Sequence, residues 1–369
     1  MRNKIQTLLL ATGLLMQWGL SSTKPQKASN DEFFEAKSTF GGYGELHLNY
    51  KNPEKGKVEA KLDFHRFVLF YGYAWTPEWS FKSEVELEHN FVTDDKGELE
   101  LEQAYLNWRH SKALNLQVGV LLPSVGLINE GHEPPLFFGT ERPNYNKRII
   151  PTTWFGNGIA ATGMISSIDY KVVIMEGLNS SQFANGLRDG RQKGYKASLE
   201  NVLVNGRVDY IGLPGLKAGA SFSRNHLMFS NGDQAFESAN LIEGHVRYDA
   251  NQIIATGEVG TVSYSPFSSA PGSLEGSLGA YTQIGYNVGQ FFMKKGKLYP
   301  FFHWSQYNVN SSVKGGGKAE EEKQVSEIQF GLHFAPIPQV VFKADYGIET
   351  KGVDDKKSTI INLGAGYMF

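Results

Sequence analysis

The strongest constraint on this chain is an alternation of apolar and polar residues with a period of two, repeated from about residue 40 to the last residue. Successive side chains of a strand point to opposite faces, so this pattern makes one apolar face and one polar face. "GELHLNY" puts Leu46, Leu48 and Tyr50 on one face and Glu45, His47 and Asn49 on the other. "FKSEVELEH" sets Phe81, Val85 and Leu87 against Lys82, Glu84, Glu86 and Glu88. "LNLQVGV", "IDYKVVI" and "YKASLEN" repeat the arrangement. The 41 Gly, 17 Tyr and 24 Phe suit many short strands and tight turns better than helices. A soluble sandwich would alternate in the same way, so alternation alone leaves the fold class open.

The N-terminus narrows it. Arg2 and Lys4 precede an apolar stretch from Leu8 to Leu20, and Gly19, Ser21 and Ser22 are small. This is the form of a cleaved secretory signal peptide, expected over 1–22. A segment over 23–38 then precedes the first strand and is expected to be a periplasmic tail or short plug. Beyond the leader no apolar run approaches the ~20 residues of a membrane helix. Only helices and closed barrels cross a bilayer, so the exported chain is either soluble or a barrel. It has no cysteine, hence no disulfide framework and no thiolate metal site. With 36 Lys+Arg against 38 Asp+Glu, charge gives no reason to expect a nucleic-acid partner.

Loop lengths favour the barrel. Counting runs gives about sixteen strands between 40 and 369, among them 193–211 and 277–292. Tight connections at 76–78, 110–113, 212–215, 249–251 and 336–339 alternate with longer polar ones such as 178–192 and 226–239. Short periplasmic turns and longer outside loops are the plan of an outer-membrane barrel. Aromatic residues gather at expected strand ends, including Trp75, Trp79, Trp108 and Trp154, as interfacial girdles do. The last strand carries Ile361, Leu363, Ala365, Tyr367 and Phe369 on one face. An apolar strand ending on Phe369, with Tyr367 two residues before it, is similar to the assembly signal of such barrels. That likeness implies recognition by the barrel-assembly machinery and closure of the sheet against the first strand. The expected class is therefore all-β, a transmembrane antiparallel barrel of about sixteen strands over 39–369, in contact with outer-membrane lipid and lipopolysaccharide.

Several segments resemble the phosphate-selective porin O/P family and its wider porin relatives. These are "FGGYGELHLNY" at 40–50, "DFHRFVLFYGYAWTPEWSFKSEVELE" at 63–88, "LEQAYLNW" at 101–108, "LQVGVLLPSVGL" at 116–127 and "ERPNYNKRIIPTTWFGNGIAATG" at 141–163. The resemblance is clearest over 40–163 and thins afterwards to a general barrel pattern. It implies a trimeric, general or anion-favouring pore.

The long connection from Pro123 to Thr152 has no strand pattern, and a loop of that length in a compact protein is usually functional. It would be the third outside loop, the one that in porins folds into the barrel and narrows it. Glu130, His132, Glu133, Glu141, Arg142, Lys147 and Arg148 would then line a constriction, where rings of charge set ion selectivity. Three acids against three bases make the loop balanced, whereas phosphate capture wants clustered Arg and Lys. Strand residues such as Glu45, His47, Lys82, Glu84 and Lys196 would line the lumen. Glu84, Glu86 and Glu88 face Glu98, Glu100 and Glu102 across a hairpin, which places six carboxylates near the outer mouth. They read as a solvated face or a cation-favouring vestibule, and like charges in opposition need counter-charges. Lys61, Arg66, Lys82 or an oxygen-ligated divalent cation are the candidates. No catalytic motif, cofactor or specific metal site is expected. "GNGIAA" at 156–161 has no following helix and reads as strand packing. The expected function is passive diffusion of small hydrophilic solutes or ions. The alternative is a barrel scaffold in a secretion or surface-protein complex.

Overall fold

The computed structural model describes residues 36–93, 96–195, 197–229, 234–270, 272–315, 323–352 and 356–369. The expected signal peptide, most of the 23–38 segment and Lys196 lie outside the described residues. Sixteen strands follow one another: β1 (Lys37–Pro53), β2 (Glu59–Ala74), β3 (Trp79–Thr93), β4 (Lys96–Ser111), β5 (Leu114–Leu121), β6 (Gly156–Ile165), β7 (Ile168–Glu176), β8 (Asn201–Tyr210), β9 (Leu216–Leu227), β10 (Phe236–Ala250), β11 (Ile253–Pro266), β12 (Leu274–Tyr286), β13 (Lys297–Val313), β14 (Gln324–Ile337), β15 (Val340–Lys351) and β16 (Lys356–Met368). Each pairs antiparallel with its neighbours in sequence, and β1 pairs with β16, so the sheet closes and has no edge. At the seam, Gly42 and Phe369 exchange backbone hydrogen bonds of 3.0 and 2.9 Å. The Phe369 ring stacks on Phe67 and Tyr367, each at 6.3 Å.

The faces settle the choice between sandwich and barrel. Outward positions are apolar and bare: Ile242, Val259, Leu278, Ile284, Phe330 and Phe342 are all at least half exposed. Inward positions on the same strands are polar and buried, for example Glu243, Glu258, Gln283 and Glu327. Water against that outer surface would be costly, so it is a lipid-facing surface around a polar interior. Among the described residues no helix is long and apolar enough to cross a membrane.

Two expected strands are shorter than their alternation suggests. The strand placed at 193–211 begins only at Asn201. Before it, Gln192 spans the chain, donating to Gly177 O (2.8 Å) and Ser198 O (2.9 Å) and accepting from Ser198 N (3.0 Å). Lys193, Gly194 and Ala197 have left-handed φ angles of 54°, 68° and 40°, and three such residues within five positions break the extended run. The strand placed at 277–292 ends at Tyr286 and passes into a 3-10 turn, Val288–Phe291.

Residues 122–155 join β5 to β6 and turn into the barrel, with a 3-10 turn at Pro134–Leu136 and a short helix α1 at Asn144–Arg148. Apolar burial drives this. Tyr145, Ile149, Ile150 and Trp154 join Phe183 and Leu187 of the 177–200 loop and inward residues such as Val173, Leu203, Leu241 and Tyr281 in one core. Each such side chain is worth about 1.5–3 kcal/mol when fully buried. Inward glycines make the room. A Cβ on Gly260 would stand 2.4 Å from Tyr145 Oη, and one on Gly279 would stand 2.7 Å from Ile149 Cγ1.

Candidate functional site in the lumen

The inner loop of residues 122–155 crosses the barrel and is held by lumen side chains on both sides. Near its start, Ser124 N donates to Asn205 on β8 (2.9 Å) and Leu127 N donates to Glu258 on β11 (3.0 Å). Towards its tip, Thr140 N donates to Asp345 on β15 (2.8 Å), and Lys343 donates to Gly139 O (2.7 Å). Glu141 meets His47 on β1 at 2.9 Å, and Asn144 donates to Glu327 on β14 at 2.8 Å. Irregular backbone inside a barrel must find partners for its N–H and C=O groups, and the buried lumen side chains supply them.

The loop leaves open a cavity of about 560 Å³ against the wall formed by β1–β4 and β13–β16. Of the residues singled out in the sequence, Glu45, His47, Glu86, Glu88, Glu100, Glu141, Arg142, Lys147 and Arg148 border it. Others do not, which corrects the expectation of one common lining. Glu84, Glu102, His132 and Glu133 are buried, the first three where the loop lies flat on β3 and β4. Glu130 turns away to Lys171 on β7 and to Ser124, both at 2.6 Å. Lys82 lies over the Phe70 ring, 5.9 Å from its centroid.

The two glutamate rows do face each other, with Glu86 opposite Glu100 and Glu88 opposite Glu98. Part of their charge is offset by cations within the lumen. Arg66 sits between Glu45 (2.7 Å) and Glu86 (3.6 Å). Lys193 pairs with both Glu98 and Glu100. Arg66 was an expected counter-charge, whereas Lys61 pairs with Asp63 instead, at 2.9 Å. A β-bulge at the Glu45/Leu46 step turns His65 inward, where its ring stacks on His47 at 4.8 Å.

Sequence reasoning missed Arg188, Arg191 and Lys193, which reach the same cavity from the 177–200 loop. The signal was present as "RDGRQK" at 188–193, a second basic patch beside "NKR" at 146–148. Arg142, Lys147, Arg148, Arg188 and Arg191 all border the cavity, and among the described residues none of them forms an ion pair. Arg188 and Arg191 donate to the backbone oxygens of Thr152 and Thr153. Arg142 reaches Thr153 Oγ1 at 3.4 Å, and its Nε and Nη2 are buried without a partner. Burial, then the neighbouring Arg191 and Arg142 guanidiniums, push Arg188 below its usual range. Burial, then Arg188, do the same to Lys147. Positive charge is therefore crowded on one rim of the cavity, with Glu88, Glu98, Glu100 and Glu141 facing it across the same space but not paired with these five residues.

A closed sixteen-stranded antiparallel barrel with a polar interior, crossed by an inward loop, is the fold of the outer-membrane porins. The chain belongs to the same family as an uncharacterized protein of Aquifex aeolicus (strain VF5), with 32% identity over 359 residues covering 90% of this chain and 80% of that protein. No protein-family model matches it. Among solved structures it is similar to an anion-selective porin from Comamonas acidovorans, with a TM-score of 0.62 and 12% identity over 91% of this chain and 100% of that one. The outer membrane channel DcaP of Acinetobacter baumannii gives a TM-score of 0.58 and 12% identity over 90% and 97% of the two chains. The trimer form of OmpT, an outer membrane protein of Vibrio cholerae, gives 0.58 and 13% over 90% and 99%. Identities this low carry the fold and leave the solute open.

Proposed function

We propose that this chain is an outer-membrane porin that lets small hydrophilic solutes diffuse through its lumen, and that its narrow region favours small anions. The observation that carries the selectivity is the crowd of five cations on the inner rim, Arg142, Lys147, Arg148, Arg188 and Arg191, without ion-pair partners among the described residues. A ring of fixed charge at a narrow neck concentrates counter-ions and excludes like-charged ones. Guanidiniums also offer planar forks of donors that suit oxyanions, phosphate among them. The anion-selective porin among the structural neighbours supports a test of this reading. The trimer form among them supports a test for a homotrimer. On this reading the chain is exported by its leader, assembled through the strand ending at Phe369, and set in lipid and lipopolysaccharide.

The test is the reversal potential and unit conductance of the purified protein in a planar bilayer under a potassium chloride gradient. Steady conductance with anion preference is expected. Arg142→Ala with Arg191→Ala should lower that preference about 2–10-fold, the scale set by removing one or two charges from a confined site. Cation preference in the unaltered protein would overturn the selectivity. A complete lack of conductance would overturn the porin reading and leave the scaffold alternative.

A further inference from the structure

We propose that Glu84, Glu102 and His132 form a site for one divalent transition-metal ion of the Zn2+ or Mn2+ kind, which ties the inner loop to the barrel wall. The three residues come from β3, β4 and the loop, and each offers one ligand atom within 4.8 Å of the others. His132 Nε2 stands 3.3 Å from Glu102 Oε2 and 3.6 Å from Glu84 Oε1. Ligands held about 2.0–2.2 Å from a common Zn2+ lie about 3.0–3.5 Å from one another, so these separations suit an ion placed between them.

Two further observations point to a ligand. All three residues are at most 2% exposed, yet both carboxylate oxygens of Glu102 and His132 Nε2 have no hydrogen-bond partner. The second ring nitrogen is also in use. His132 Nδ1 lies 3.1 Å from Asn129 O, a carbonyl that can only accept. That contact occupies Nδ1 and leaves Nε2, which faces the two glutamates, as the ring nitrogen that would bind an ion.

The supporting shell is rigid. Asn129 donates to Pro123 O (2.8 Å) and Trp154 O (3.1 Å), and accepts from Trp154 N (2.8 Å). Gln103 donates to the other oxygen of Glu84. Two carboxylates neutralise a dication, and one imidazole with two carboxylates suits Zn2+ or Mn2+ better than a softer metal.

This site does not depend on whether the barrel conducts, so its test needs no bilayer. Full-length protein extracted in detergent would be stripped with a chelator, loaded with ZnCl2 or MnCl2 and passed through gel filtration. The metal content would then be measured by mass spectrometry. About one retained ion per chain is expected. Glu102→Gln and His132→Ala should each retain less than about a tenth of that, and Gln103→Leu should weaken binding about 10–100-fold. His110→Ala, a substitution at an exposed histidine, should retain the ion. Should the buried variants fail to assemble, the unaltered protein decides. No retained ion and no binding heat for either metal at millimolar concentration would overturn the proposal. Full metal content in His132→Ala would overturn it equally.

Discussion

The two sides of the lumen are built from the same kind of strand but filled in opposite ways. On the side of β6–β13, the inner loop and the 177–200 loop press Tyr145, Ile149, Trp154 and Phe183 into a dry core with Val173, Leu203, Leu241 and Tyr281. On the side of β1–β4 and β13–β16, the loops present Glu141, Arg142, Lys147 and Arg191 to an open, charged cavity, β13 bordering both sides. The energies are unequal. Each buried apolar side chain contributes about 1.5–3 kcal/mol, whereas an exposed ion pair contributes about 0.2–1 kcal/mol. The dry side therefore decides where the loop lies, and the wet side can change its charges without moving it. A barrel built this way can alter selectivity by surface substitution while its narrow region keeps its shape.

Breaking the dry side should have the largest effect. Deletion of 128–148 removes α1 and the loop tip that crosses the lumen, including Tyr145. Unit conductance in planar bilayers should rise at least about twofold, as the bore returns towards that of an unobstructed sixteen-stranded barrel. Unchanged conductance would mean that this segment is not in the path of the ions.

A single added side chain sharpens the comparison. A Cβ on Gly279, on the dry side, would meet Ile149 Cγ1 at 2.7 Å and Tyr145 Cδ2 at 3.0 Å, both held in the core. Gly279→Val should cost about 1–3 kcal/mol through overpacking. A Cβ on Gly364, on the wet side, would meet Thr140 Cγ2 at 2.9 Å, near the loop's open flank. Gly364→Ala should cost less. Thermal unfolding of the two variants, followed by heat-modified mobility in gels, ranks them. A larger loss for Gly364→Ala would contradict the division of labour between the two sides.

The strands were legible because each one carries its own evidence. Parity of apolar and polar positions is local, and it placed Glu45, His47 and Glu86 on the inner face beside Arg66 without knowledge of any other strand. The same rule misread 193–200, where a loop alternates by chance and Gln192 and the left-handed Lys193 hold it out of the sheet. The route of the inner loop was not legible, since it rests on contacts distant in sequence, such as Thr140 with Asp345 and Asn146 with Glu258. Its faint trace is the run of inward glycines, Gly279 and Gly285 on β12 and Gly364 and Gly366 on β16, each standing where a loop residue approaches. The cationic rim was hidden for the same reason, because "NKR" and "RDGRQK" meet only when two separate loops fold inward.

The smallest effect probes the wet side alone. Lys147 is held below its usual range by burial and by Arg188, so it gives up its proton earlier as pH rises. Anion preference should decline on the alkaline side before the ordinary lysine value of about 10.4 is reached. The sign follows from the charge lost, since a neutral amine no longer attracts anions. High salt should shift the decline upward, because at about 1 M the screening length falls to about 3 Å and the repulsion from Arg188 weakens. Lys147→Arg should flatten the curve, as a guanidinium keeps its proton far longer than an ammonium. Reversal potentials at pH 7, 8.5 and 10, in dilute and in concentrated chloride, would read all three effects. A profile that stays flat in both salts would show that the crowding at Lys147 is already relieved by another group, and would remove it from the selectivity of the rim.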